Sequence, residues 1–198
     1  MRICFTLDDV IRAKTVKIGL VYKKFVDPDI DLDALEFDTN DYQRIFGFSD
    51  PAEYERFLYV DYPFEIFGEA GVTTKGIDKE LMLWHVGLQD FEDIEEPIEV
   101  MIANPFEFNA SIGYTCFFLS KMATRIREFY FPTDSSTIWD RCDVLVTADP
   151  KLIAGKPEGK ICVKIDMPYN EGLDADLTYD VLSDALKDND FLKKISGF

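Results

Sequence analysis

The first ten residues constrain the fold of this chain more than any other segment. Residues 3–5, Ile-Cys-Phe, are apolar without interruption, and the run stops at the polar segment Thr6-Leu7-Asp8-Asp9. A short apolar run without polar alternation is typical of a strand that is buried on both faces, as strands of parallel sheets are. We therefore predict a buried parallel strand over residues 2–7, with polar side chains gathered where it ends.

The second half of the chain alternates between strand-like and helix-like segments. Short apolar runs closed by turn residues predict four more strands, over residues 98–103, 125–131, 143–147 and 160–165. The remaining apolar and amphipathic segments predict helices over residues 109–121, 135–141 and 177–187. Strands joined through helices by short connections imply right-handed crossovers and a parallel sheet. The predicted fold class is α/β, a Rossmann-like parallel sheet flanked by helices, with the first strand central.

A long segment separates the first predicted strand from the second. It spans about ninety residues, which is far too long for a loop in a compact domain and must carry its own structure. Apolar residues recur at helical spacing over residues 41–48, 51–67 and 76–88. The sequence therefore predicts a helical insertion directly after the first strand.

The composition limits the partners and the location of the protein. The net charge of −17 disfavours nucleic acid as a partner, because phosphate contacts require clustered lysines or arginines. No apolar run approaches the ~18 residues that a membrane span requires, so we expect no membrane partner. The four cysteines mostly lie in apolar runs without metal-ligand spacing, which favours a reduced, cytoplasmic compartment.

The apolar strand followed by Thr6-Leu7-Asp8 resembles the opening motif of the haloacid dehalogenase (HAD) superfamily, and in particular its nucleotidase-like branch. In that family the strand is followed by Asp-x-Asp, whose first Asp is the nucleophile and whose second is the general acid/base. The resemblance implies that Thr6 occupies the nucleophile slot and Asp8 the acid/base slot. It also implies that residues 11–95 form the inserted helical cap, whereas residues 1–10 and 96–198 form the Rossmann-like core.

The resemblance assigns the phosphate-binding slots as well. The family binds the phosphoryl group with a Ser or Thr that ends the second strand, but this slot holds Ala103, which has no hydroxyl. Asn104 is then the substitute donor; the alternative is to place this motif at Ser120. For the phosphate-binding lysine of the family, Lys121 and Lys156 are both candidates.

The metal slot is also incomplete. The paired acids that end the fourth strand in the family fall at Thr147-Ala148-Asp149, so at most one carboxylate remains. Mg²⁺ sites usually use one or two protein carboxylates together with waters and substrate phosphate. Asp149 and Asp8 would supply that minimum, which implies a weak site or none. The expected cofactor is therefore none, or Mg²⁺ if the protein is active.

These replacements lead to two functional hypotheses and a weaker third. The first is a catalytically degenerate HAD-like protein that serves as a binding, scaffold or assembly component, through a protein partner or self-association at the aromatic-rich cap around Tyr54–Phe67. The alternative is a Mg²⁺-dependent, nucleotidase-like phosphohydrolase of a small phosphomonoester, which requires Asp8 or Asp9 to act as the nucleophile through a shifted strand end. The third is a sensor of a small phosphorylated ligand. The coincident losses favour a protein that is not an enzyme.

Overall fold

The computed structural model describes residues 1–88, 97–105 and 109–196. In this part of the chain, six strands form a single sheet. Their bounds are β1 Arg2–Thr6, β2 Glu99–Ala103, β3 Glu128–Tyr130, β4 Val144–Thr147, β5 Ile161–Ile165 and β6 Leu177–Tyr179.

The sheet is parallel throughout and has the strand order β3-β2-β1-β4-β5-β6. In β1, Phe5 pairs with Ile102 of β2 and with Val146 of β4, and Thr6 pairs with Ala103. The predicted α/β class and the central place of the first strand are therefore confirmed. The carboxyl ends of β1, β2 and β4 meet at one edge, which gathers the polar residues that follow each strand.

The prediction of one helix over residues 177–187 is wrong. Residues 177–179 form β6, which pairs with β5 through Val163 and Leu177. Only Leu182–Lys187 is helical. A three-residue edge strand is too short to show a periodic pattern of its own, and pairing with the neighbouring strand decides its conformation.

The described part of the chain contains eight α-helices. Their bounds are α1 Lys14–Phe25, α2 Tyr42–Ile45, α3 Pro51–Arg56, α4 Ile77–Gly87, α5 Asn109–Ser120, α6 Pro150–Ala154, α7 Leu182–Lys187 and α8 Phe191–Ser196. The helix predicted over residues 51–67 is divided, because α3 continues as two wider π-helical turns, Phe57–Asp61 and Phe64–Gly68. None of the helices in these ranges is long and apolar enough to cross a membrane.

The two faces of β1 pack into two different clusters, because successive side chains of a strand point to opposite faces. Ile3 and Phe5 face a cluster that includes α7 and α8. Cys4 faces a second cluster with Trp139 and Leu152. Burial on both faces explains why the sequence of β1 is apolar without alternation.

The segment between β1 and β2, referred to below as the inserted segment, has an aromatic cluster of its own. Ile18, Tyr42, Phe57 and Phe67 are buried in it, and most of the aromatic run at residues 54–67 packs inward. Helix α4 packs instead on the sheet, where the ring of Trp84 contacts Phe5 edge-on at 5.7 Å between centroids. The predicted boundaries of the insertion, residues 11–95, remain a prediction; among the described residues, the buried members of the separate cluster extend from α1 to residue 67, and Tyr114 of α5 packs against them.

Candidate functional site

A cavity of about 340 Å³ lies at the carboxyl edge of the sheet, between the sheet and the inserted segment. The strand ends contribute Thr6, Asn104 and Asp149, and the segment after β1 contributes Asp8 and Asp9. The inserted segment and the segment after β5 contribute lysine, tyrosine and phenylalanine side chains, namely Lys14, Tyr42, Tyr54, Tyr59, Phe67 and Tyr169. The structure thus brings together four of the predicted site residues, Thr6, Asp8, Asn104 and Asp149.

Thr6 and Thr147 form a hydrogen-bonded pair at the floor of this edge. Because β1 and β4 are neighbouring parallel strands with Phe5 opposite Val146, the next residues face each other. Their hydroxyl oxygens lie 3.1 Å apart, and both side chains are buried. The Thr147 hydroxyl also accepts a hydrogen bond from the backbone N–H of Asp149. Two positions at which the family resemblance implies carboxylates therefore hold neutral hydroxyls bonded to each other.

The carboxylate of Asp8 is held by two cations. The guanidinium of Arg12 donates to it at 2.7 Å, and the ammonium of Lys14 lies 3.1 Å away. Burial alone would raise the pKa of Asp8, but the two positive charges outweigh it and place the pKa below its usual value. Asp8 is therefore ionised at neutral pH and committed to these partners, which opposes the role of a proton donor.

Arg12 was not identified from the sequence, yet it is the central contact of this edge. Its side chain is fully buried. Besides binding Asp8, it donates to the carbonyl of Phe67 at 3.0 Å and to the hydroxyl of Thr115 at 2.9 Å. The rings of Phe67 and Phe118 flank the guanidinium at 5.5 and 5.6 Å. Arg12 thus joins the end of β1 to the inserted segment and to α5.

Asp9 is buried in a second network. Its carboxylate accepts hydrogen bonds from the backbone N–H and the hydroxyl of Thr15 at 2.9 and 2.5 Å, and from the hydroxyl of Tyr169 at 3.0 Å. Because Thr15 donates its single proton to Asp9, the hydroxyl of Tyr42, 2.5 Å away, donates to Thr15. Burial raises the pKa of Asp9, although the Thr15 bonds act against it. The backbone of Asp9 has φ of +58°, a conformation that non-glycine residues rarely adopt.

Asp149 and Asn104 also have local partners. The carboxylate of Asp149 accepts from the backbone N–H of Lys151 at 2.8 Å and caps α6. The amide nitrogen of Asn104 donates to the carbonyl of Pro105 at 3.0 Å. The predicted donor role of Asn104 is therefore not supported by its geometry, because its donor group is directed to its own neighbour. Its Oδ1 is buried and has no hydrogen-bond partner among the described residues.

The remaining predicted residues lie outside the cavity. Ala103 is completely buried in β2. The ammonium of Lys121 donates to the carbonyl of Gly68 at 2.6 Å and lies over the ring of Phe117. Lys156 forms an ion pair with Asp176 at 2.8 Å. Neither candidate phosphate-binding lysine lines the cavity, whereas Lys14 and Lys151 do.

The residues present do not fit a Mg²⁺ ion. In the described ranges, no group of three or more His, Cys, Asp or Glu side chains is arranged to hold a metal. The Asp8 oxygens bind Arg12 and Lys14, and an Asp149 oxygen caps α6. The two threonine hydroxyls bind each other and carry no charge. Mg²⁺ prefers carboxylate oxygens in octahedral geometry, which this donor set does not supply.

The comparisons with known proteins agree with this fold. No protein-family model matches the chain, and no curated protein is similar to it in sequence. A solved structure from Burkholderia xenovorans LB400, provisionally described as a haloacid dehalogenase-like hydrolase, is similar to it with a TM-score of 0.51 and 12% identity. The similarity covers 96% of this chain and 97% of that one. At this identity the similarity shows the fold alone: the parallel α/β sheet of this chain and its flanking helices are arranged as in that structure.

Proposed function

We propose that this protein is a catalytically degenerate HAD-like protein, of nucleotidase-like ancestry, that binds a ligand or partner and does not transfer phosphoryl groups. The observation that carries the proposal is the hydrogen bond between Thr6 and Thr147. Covalent phosphoryl transfer at this edge needs an anionic nucleophile and, in this fold, carboxylates that hold a metal. A hydroxyl needs an adjacent base to become nucleophilic, and the hydroxyl of Thr6 is instead bonded to another hydroxyl.

The alternative, a Mg²⁺-dependent phosphohydrolase, would need Asp8 or Asp9 as the nucleophile. The contacts of both residues oppose that role. Asp8 is paired with Arg12 and Lys14, and both oxygens of Asp9 accept hydrogen bonds from neighbouring groups. A nucleophile at either position would first have to leave these partners, and the register of β1 ends the strand at Thr6.

The test is hydrolysis of p-nitrophenyl phosphate and of nucleoside monophosphates in the presence of Mg²⁺. We expect no turnover by the native chain, and little restoration by Thr6→Asp alone, because Ala103 and Ala148 supply no ligand for phosphate or metal. Robust Mg²⁺-dependent hydrolysis that is abolished by Asp8→Asn would overturn the proposal. Hydrolysis that persists in Asp8→Asn but is abolished by Asp9→Asn would overturn the proposal equally, whereas hydrolysis of the same size in both variants would come from a contaminating phosphatase.

A protein partner, or self-association through the inserted segment, is the second part of the proposal. It is supported by two exposed apolar side chains in the aromatic run, Val60 (70% exposed) and Phe64 (37% exposed). Aromatic and aliphatic anchors supply affinity by desolvation, and a surrounding acidic surface mainly sets encounter rate. We expect the double variant Val60→Ser, Phe64→Ser to abolish any association seen by light scattering. A native chain that stays monomeric at high concentration and captures no protein would contradict this part.

A further inference from the structure

We infer that the cavity at the sheet edge takes an uncharged ligand that combines a flat ring with an N–H donor, and that it disfavours phosphomonoesters. This inference rests on the proposed loss of phosphoryl transfer and names the ligand class of the same cavity. It is carried by the unpaired acceptor of Asn104, the charges around the cavity and the rings that line it.

The first step is the orientation of Asn104. Its amide nitrogen donates to the Pro105 carbonyl at 3.0 Å, and the opposite orientation of the amide would bring two oxygens together at that position. The atom that is left without a partner is therefore the acceptor Oδ1. Asn104 is 4% exposed and lines the cavity.

The second step is the energetic consequence of that acceptor. A buried polar atom without a hydrogen bond costs about 1–3 kcal/mol, and native structures keep few of them. A ligand that donates an N–H or O–H to Oδ1 would remove this cost on binding. A phosphate dianion carries only acceptor oxygens, so it would place acceptor against acceptor at the site where the fold otherwise receives phosphate.

The third step is the charge around the cavity. Three carboxylates line it, Asp8, Asp9 and Asp149, against two ammonium groups, Lys14 and Lys151. Lys14 is paired with Asp8, and Lys151 is exposed at the rim. In the described part of the lining, the cations therefore do not exceed the anions, and no converging pair of free cations is available for a dianion.

The fourth step is the shape of the walls. Tyr59 and Phe67 are stacked at 5.6 Å with an angle of 11° between their rings, and Tyr42, Tyr54 and Tyr169 also line the cavity. Aromatic side chains provide flat faces on which planar rings stack, with a polar hydroxyl at the edge of each tyrosine. The volume of about 340 Å³ lies in the range of small-molecule pockets.

The experiment is isothermal titration calorimetry on the full chain with four probes: adenine, adenosine, adenosine 5′-monophosphate and glucose. Adenine carries the flat ring and the N–H donors alone, adenosine adds a sugar, and the monophosphate adds the charged phosphate group, with its acceptor oxygens, that the inference excludes. We expect adenine and adenosine to bind. We expect the monophosphate to bind at least tenfold more weakly than adenosine, and this difference in affinity should become smaller as the salt concentration rises. We expect no binding of glucose, which has donors but no flat ring.

The matched variants are Asn104→Leu and Asn189→Leu, the latter at an exposed position between α7 and α8. Because Asn104→Leu loses one hydrogen bond to the ligand, its affinity for adenosine should be about tenfold lower than that of the native chain. The same substitution at Asn189 should leave the affinity unchanged. Thermal unfolding of each variant checks that the fold is retained, and the comparison of adenosine with its monophosphate in the native chain needs no variant.

Several outcomes would overturn the inference. Tighter binding of the monophosphate than of adenosine would do so, and so would binding of glucose as tightly as adenine. An Asn104→Leu variant that binds adenosine with the affinity of the native chain would also overturn it, as would the absence of binding of any ring probe at millimolar concentration. The proposed function fails separately: hydrolysis of the monophosphate with Mg²⁺ contradicts it whatever the probes bind. Binding of the monophosphate without hydrolysis contradicts only the ligand class.

Discussion

Two groups of side chains at the same edge of the sheet differ in their charge. At the ends of β1 and β4, Thr6 and Thr147 are neutral, buried and bonded to each other. Two residues further along the chain, Asp8 and Arg12 form a charged pair that reaches into the inserted segment. The first group occupies the slots where the family resemblance implies a nucleophilic and a metal-binding carboxylate, and the second group is charged.

The difference between these two groups indicates what the charged side chains do at this edge. The carboxylates of Asp8 and Asp9 bind groups that begin or anchor the inserted segment, namely Arg12, Lys14 and Thr15. These carboxylates therefore stabilise the position of the inserted segment over the sheet. The threonine pair needs no counter-charge or metal, and it joins two neighbouring strands by an ordinary hydrogen bond.

The largest expected effect comes from breaking the charged group. Arg12→Met removes the main partner of Asp8 and the hydrogen bonds to Phe67 and Thr115, and we expect a loss of about 3–5 kcal/mol in the free energy of unfolding. Urea denaturation measures it. The control is Arg56→Met, because Arg56 and its partner Asp61 are exposed and such pairs contribute about 0–1 kcal/mol. Equal losses in the two variants would show that the buried pair has no special weight.

The next effect converts the neutral group into a charged one. The double variant Thr6→Asp, Thr147→Asp places two carboxylates opposite each other in a buried site. Without metal, we expect its free energy of unfolding to be about 3 kcal/mol lower than that of the native chain. Added Mg²⁺ should recover part of that stability, seen as a rise in Tm, because the cation offsets the repulsion. The native chain should show no such rise. A Tm of the native chain that increases with Mg²⁺ would contradict the assignment of a metal-free site.

Much of the fold could be predicted because its signals are local. The strands β1, β2, β4 and β5 are apolar runs with turn residues at their ends, and burial on both faces leaves this signal in each segment by itself. The edge strand β6 was missed because three residues carry no period and its conformation depends on pairing with β5. Side-chain spacing predicted where helices lie more accurately than where they end or widen, as in residues 51–67.

The site could be predicted only in part, because its contacts are distant in sequence. Thr6, Asp8, Asn104 and Asp149 were identified through the family resemblance, because each lies at or just after the end of a predicted strand. Arg12 lies four residues after Asp8, a spacing visible in the sequence, but its bonds to Phe67 and Thr115 depend on the packing of three elements. Tyr169 donates its hydroxyl to Asp9 across 160 residues of sequence, and no local pattern predicts such a contact.

A smaller effect concerns pH and separates Asp8 from Asp9. The pKa of Asp9 is raised in the folded protein, so its contribution to stability is present below the unfolded pKa and is lost as pH rises through the folded pKa. The pKa of Asp8 is lowered, so its contribution is present above the unfolded pKa and is lost as pH falls through the folded pKa. The stability difference between native chain and Asp9→Asn should therefore shrink with rising pH above about 3.9.

The difference in the free energy of unfolding between the native chain and Asp8→Asn should grow as pH rises toward about 3.9 and then stay constant. Urea unfolding of the three proteins across the acidic range measures both slopes. Slopes of the same sign would mean that the two neighbouring carboxylates share one environment. That result would contradict the division between an ion-paired Asp8 and a hydrogen-bonded, buried Asp9.

The smallest effect tests the threonine pair itself. Thr6→Val keeps the shape of the side chain and removes the hydroxyl that donates to Thr147, and we expect a loss of about 1 kcal/mol in the free energy of unfolding. The Thr147 hydroxyl keeps its bond from the Asp149 N–H, so no buried group is left without any partner. Thr178→Val, at an exposed position of β6, is the control and should change stability by less than about 0.5 kcal/mol. A loss in Thr6→Val that exceeds the loss in Arg12→Met would reverse the comparison, since the neutral pair rather than the charged group would then hold this edge together.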